Sequence, residues 1–247
     1  MKSTAAAVLV LGTALSTSAS AEMLWSDFSL SYLYGSHYST VYGGEDDRTY
    51  ITVEHASGHS WGDNFLFIDR QMDHGTGADD DEDSSYYGEL SPRLSFGKIS
   101  GADLSFGPIS DVLLASTWEA GDGFDNLLYG LGFDLDIPGF RYFNVNLYKV
   151  NNDLVDDDEQ LTLTWAYPFS VASQDFLIDG FLDWSSAADD HKSEMNFTPQ
   201  IKWNAGKLMG LESPLYVGME YAYWNNKYGN SDGKDERSAS LLVKWHF

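Results

Sequence analysis

Residues 237–247 alternate with a period of two. Ala239, Leu241, Val243, Trp245 and Phe247 share one face, and Ser240, Lys244 and His246 share the other, joined by Leu242. Alternation of this kind predicts a β-strand whose two faces meet different media. The same signature recurs along the chain. Leu127, Tyr129, Leu131, Phe133 and Leu135 oppose Gly130, Gly132 and Asp134. Leu161, Leu163, Trp165 and Tyr167 oppose Thr162, Thr164 and Ala166. The pattern predicts twelve strands, near residues 25–35, 48–57, 62–70, 85–96, 109–118, 125–135, 141–150, 160–167, 176–184, 194–203, 215–225 and 237–247.

Each predicted strand has the length that a tilted strand needs to cross the hydrocarbon of a bilayer. Sheet edges cannot be left unpaired in lipid, so the strands must close. The expected fold is all-β, a closed antiparallel transmembrane β-barrel of about 12 strands. An outward apolar band with Trp118, Trp165, Trp184, Trp203 and Trp245 near strand ends fits interfacial girdles. Ahead of the strands, Lys2, an apolar run over residues 5–15 and Ala19-Ser20-Ala21 read as a secretory signal peptide, residues 1–21, leaving 22–247 as the barrel domain.

Composition narrows this further. Aromatics make up 15% of the chain, yet the mean hydropathy is −0.30. Alternating lipid-facing and lumen-facing residues explain both. The formal charge of −24 repels phosphate polymers, so no nucleic-acid partner is expected. The acidity is also segregated. Alternate connections (36–47, 71–84, 119–124, 151–159, 185–193 and 226–236) hold 21 Asp or Glu in 61 positions; the intervening ones hold 4 in 40. Up-and-down topology sends the two sets to opposite ends. The acidic set is expected outside a Gram-negative cell, with lipid and lipopolysaccharide around the wall and Phe247 presented in the periplasm to the barrel-assembly machinery.

Function should then reside in the lumen. Assigning the oily parity to lipid turns Glu54, Glu89, Arg93, Asp134, Asp179, Asp183, Lys202, Glu220 and Lys244 inward, with Asp27. The segment EHASGHSWGDNFLFIDR, residues 54–70, reads as strand, turn and strand. Its parity is ambiguous: Phe65, Phe67 and Asp69 share one face, and Leu66 and Ile68 the other. Turned inward, the two rings would make a stacking platform beside a carboxylate. Other chemistry is weaker. His55 and Ser57 share a strand face, as a hydrolase pair would, but they precede a turn at the inner end. The six histidines lack metal-ligand spacing. The acidic tracts 79–83 and 156–159 lack the glycine and terminal glutamate of a calcium loop. No catalytic residues, resident metal or cofactor are expected.

With that segment, the acidic barrel around it and the terminal Phe247, the chain resembles the Tsx-like nucleoside-specific channel family, and within it the OmpK outer-membrane proteins. The resemblance implies a twelve-stranded channel for facilitated diffusion of nucleosides, with an outer surface that phages or colicins use as a receptor. The competing expectation is a surface receptor or adhesin whose lumen is sealed by residues such as Tyr142, Tyr148, Phe181 and Trp224.

Overall fold

The computed structural model describes residues 22–39, 45–74, 84–230 and 235–247. The expected leader and the tract 79–83 therefore lie outside the described residues. Twelve strands follow in chain order: β1 (Met23–Ser39), β2 (Glu45–His59), β3 (Gly62–Asp73), β4 (Ser84–Ser95), β5 (Ile109–Gly121), β6 (Phe124–Leu135), β7 (Tyr142–Asn151), β8 (Asp158–Val171), β9 (Gln174–Ser185), β10 (Glu194–Asn204), β11 (Leu215–Asn225) and β12 (Glu236–His246). Each pairs antiparallel with its sequence neighbours, and β1 pairs with β12, so the sheet is a closed barrel. Closure leaves no backbone edge to lipid, which a membrane wall requires.

The outer face carries the oily parity. Leu30, Tyr32, Ile51, Ile68, Trp118, Leu131, Leu147, Val217, Leu241 and Trp245 are all more than a third exposed. In water such a girdle would cost free energy; in a bilayer it is the solvated state. An even strand count brings both ends of the sheet to one rim. Among the described residues, connections at the far rim hold 7 Asp or Glu, against 3 at the rim that carries the termini.

The strands run past their expected limits at the acidic rim. β1 continues to Ser39, β2 begins at Glu45, and the β5–β6 connection shrinks to Asp122-Gly123. The turn closes on left-handed Gly123, at φ 87°. Ladder hydrogen bonds persist above the hydrocarbon, where polar side chains are as well solvated as in a loop.

The interior is partly filled. Ala115, Leu128, Tyr148 and Val150 form a buried apolar cluster on the inner wall of β5, β6 and β7. A smaller one joins Ala166, Leu177 and Tyr216. Side chains thus narrow the bore from these sides. Tyr142, which faces inward, is still 41% exposed, so it borders open space.

Candidate functional site

Directly opposed residues on adjacent strands share a face, and this resolves the parity of residues 54–70. Glu54 opposes Phe67, Thr52 opposes Asp69 and Ala56 opposes Phe65. Phe67 in turn opposes Glu89, Asp69 opposes Tyr87, and Asp63 opposes Arg93. Glu54 meets Lys244 of β12 in an ion pair inside the barrel. Phe65, Phe67 and Asp69 therefore face the lumen, and Leu66 and Ile68 the outer wall. The other inward candidates, Asp134, Asp179, Asp183, Lys202 and Glu220, also lie on the lumen face.

The structure joins the two phenylalanines to a longer row. Ring centroids run from Phe65 to Phe67 at 5.9 Å, Phe67 to Tyr87 at 5.7 Å and Tyr87 to Phe124 at 6.3 Å. This row climbs one wall from the rim of the termini to the acidic rim, across β3, β4 and β6. Gly121 makes room for its upper end. A Cβ there would sit 2.4 Å from the Phe124 ring.

The charged lumen residues divide into two groups. Every described cation inside is engaged with a carboxylate. Arg93 donates through Nε and Nη2 to Asp63, at 2.8 and 2.7 Å, and pairs with Asp134 at 2.9 Å. Lys202 donates to Asp179 at 2.6 Å and to Gln200 at 2.9 Å. Lys244 pairs with Glu54, and Arg48 pairs with Asp73 at 2.8 Å. These residues brace neighbouring strands.

The second group of carboxylates is held by neutral donors. Tyr87 donates to Glu89 at 2.8 Å, Asn126 to Glu119 at 3.2 Å, and Thr52 to Asp69 at 2.5 Å. Thr162 donates to Asp183 at 2.5 Å, Gln200 to Glu220 at 2.7 Å, and Trp224 to Glu194 at 3.0 Å. Glu89 and Glu119 stand directly opposite each other on β4 and β5, and both feel the charge of Asp183 from β9. A carboxylate without a cation keeps lone pairs for a ligand's N–H and O–H groups.

At the acidic rim residues 226–230, which follow β11, fold inward as a strap. Lys227 donates to Glu236 at 2.5 Å, and its ammonium lies over the rings of Trp224 (4.7 Å) and Tyr228 (5.1 Å). Glu236 also accepts from the Ser39 amide at 2.6 Å. The strap holds Asn226 and Tyr228 at φ 49° and 64°. Left-handed backbone costs a non-glycine residue about 1–2 kcal/mol. The strap packs against β12, β1 and β2 at the mouth. Of the residues expected to seal the bore, Tyr148 is buried against Thr117 in the apolar cluster and Trp224 is bonded to Glu194.

Outside the bore, His55 bonds the Asp27 carbonyl at 3.2 Å and stacks on Phe28, whereas Ser57 bonds His59 at 3.0 Å. His55 and Ser57 thus form no nucleophile–base pair. Asp157 and Asp158, of the second acidic tract, accept from Asn151 and His191. His191, its side chain largely covered in its loop, bonds Asp190 at 2.7 Å and Asp158 at 3.1 Å. Burial opposes its charge, but the two carboxylates outweigh burial and raise its pKa above 6.5.

Sequence reasoning missed Tyr87, Phe124, Glu119 and Glu194. Tyr87 carried a signal, since it shares parity with Glu89 and Arg93. Glu119 and Phe124 lay in what the acidity marked as a loop.

Comparison with known proteins completes the picture. The Channel_Tsx family, described as "Nucleoside-specific channel-forming protein, Tsx", matches residues 21–245. The nucleoside-specific channel-forming protein Tsx of Salmonella typhimurium is 29% identical over 232 residues, 84% of this chain and 77% of that protein. Outer membrane protein OmpK of Vibrio parahaemolyticus is 25% identical over 127 residues, 49% of this chain and 48% of its own length. The chain spans about half the length of the OmpK relatives it matches. Among solved structures, the KdgM porin aligns with a TM-score of 0.51 at 10% identity, covering 89% of this chain and 99% of the porin. That likeness bears on the fold alone.

Proposed function

Because the chain belongs to the Tsx family of nucleoside-specific channel-forming proteins, and so to the channels of the Gram-negative outer membrane, we propose that its lumen passes nucleosides by facilitated diffusion. The observation that carries this reading is the row Phe65, Phe67, Tyr87 and Phe124 with Asp69, Glu89 and Glu119 beside it. A base stacks on an aromatic ring with about 1–3 kcal/mol. Its amino groups and the ribose hydroxyls are donors that the flanking carboxylates accept. Several weak, similar sites in series favour entry without trapping the solute. Nucleotides carry phosphates, which the carboxylates and the acidic rim repel. No energy source or bound cofactor enters the reading.

Planar-bilayer recording tests it. Single-channel current should fall in a saturable way as adenosine or uridine is added, and AMP should block far less. Current that no nucleoside reduces would leave only an unselective pore.

A second reading, a surface receptor for phage or colicin, draws on the bracing of the outer connections. The Asp156 amide bonds Asp190, His191 bonds Asp158, and the Lys192 amide bonds the Gly229 carbonyl. That surface is rigid enough to be recognised. Absence of any conductance, together with phage adsorption lost on deleting residues 186–193, would favour it. At the other rim Phe247 stacks on Phe28 at 6.2 Å and remains exposed, accessible to the assembly machinery.

A further inference from the structure

The outer wall is notched near the acidic rim. Gly88 of β4 opposes Ala120 of β5, and both face outward. Around these two small residues stand Ile68, Tyr86, Leu90 and Trp118, each 38–51% exposed. The result is a recess of about 340 Å³ on the membrane side of the wall, within the size range of a ligand site.

Above the recess, Arg70 lies over the Tyr86 ring at 5.7 Å. It is on the outward parity, opposite Ile51 and Tyr86. It forms no ion pair among the described residues. An outward arginine costs about 2–4 kcal/mol at the bilayer midplane and about 0–1 near the interface. Arg70 lies three residues before the end of β3, which puts it at the headgroup level. The other charge at this edge, Asp122, is occupied in accepting from the Tyr86 amide at 3.1 Å.

We propose that this notch seats one lipopolysaccharide molecule, an acyl chain lying over Gly88 and Ala120 with a lipid A phosphate held by Arg70. Three arguments select that occupant. The outward wall of a membrane barrel is solvated by lipid. The notch opens under the acidic rim, which its charge assigns to the outside of the cell and so to the lipopolysaccharide leaflet. A guanidinium matches a phosphate in a paired, forked geometry, and among the described residues that of Arg70 has only the Tyr86 ring beside it.

The test is lipid retention by the purified, folded barrel, read by native mass spectrometry after incubation with bisphosphorylated lipid A, dephosphorylated lipid A or phosphatidylglycerol. Bisphosphorylated lipid A should be retained in preference to both others. Arg70→Ala should weaken retention roughly tenfold, the loss of one charge-assisted contact. Ala120→Leu, which fills the notch without touching a charge, should weaken it comparably, and Asp122→Asn should strengthen it. Arg237→Ala is the control, because Arg237 is also outward and lies over Tyr223 at 5.7 Å; it should change nothing. Equal retention of phosphatidylglycerol would overturn the lipopolysaccharide assignment. Equal weakening by Arg237→Ala, or no effect of Ala120→Leu in a barrel that runs as folded on an unheated gel, would overturn the seat.

Discussion

Phe67→Ala puts the stacking row to its sharpest test. Phe67 is the middle ring, 5.9 Å from Phe65 and 5.7 Å from Tyr87. Removing it opens a gap of one ring between neighbours that then stand too far apart to share a base. Loss of one base–aromatic contact is worth about 1–3 kcal/mol. Since about 1.4 kcal/mol is a factor of ten, the half-blocking nucleoside concentration should rise roughly tenfold. Phe67 borders the bore and is only partly buried, so the barrel should survive with less than the about 3–5 kcal/mol of a core Phe→Ala change. The assay is current block in planar bilayers by adenosine, with Ile68→Ala measured in parallel. Ile68 is the next residue along and faces lipid, so its truncation should leave block untouched. Block that survives Phe67→Ala, or falls equally with Ile68→Ala, refutes the inward stacking row.

Three more outcomes follow from the same geometry. Glu89→Gln with Glu119→Gln and Asp183→Asn removes three of the six carboxylates held by neutral donors, so the preference for cations over anions should drop, read as a smaller reversal potential in a KCl gradient. Lys227→Met leaves Glu236 buried without its cation and should cost about 3–5 kcal/mol, lowering the temperature at which the barrel unfolds on gels; adding Glu236→Gln should restore much of it. His191 has a folded pKa raised above its unfolded value, so its stabilisation is full below about pH 6.5 and fades as pH rises through the folded value. Limited proteolysis of the outer connections should accelerate over that window in the native chain, and His191→Gln should abolish the pH dependence.

Strand parity was legible because a barrel wall separates two solvents and each strand records both. Leu161 to Tyr167 could be read residue by residue. The limits of strands were not, because the marker used for loops was polarity. Glu45, Asp46 and Asp47 are polar yet lie within β2, where the sheet stands in water. The same error hid Glu119 and Phe124. The parity of residues 54–70 needed the partner strand, since Phe65 and Leu66 are equally apolar. Which carboxylates brace and which stay open was beyond reach as well. Arg93 finds Asp63 and Asp134, from β3 and β6, only through the stagger of the strands.

The seam between β1 and β12 carries a consequence for synthesis. Tyr38 meets Ser240, Ser238 bonds the His37 carbonyl, and His246 bonds Asp27, contacts between residues 201 to 219 apart in sequence. Until the last strand arrives, the first has one bare edge, and every intermediate sheet is an open template for a stray partner. Contacts of such span are slow to form. The wall therefore acquires its final partner last, and the chain needs an escort for its whole journey: the lumen exists only from the moment its two ends meet.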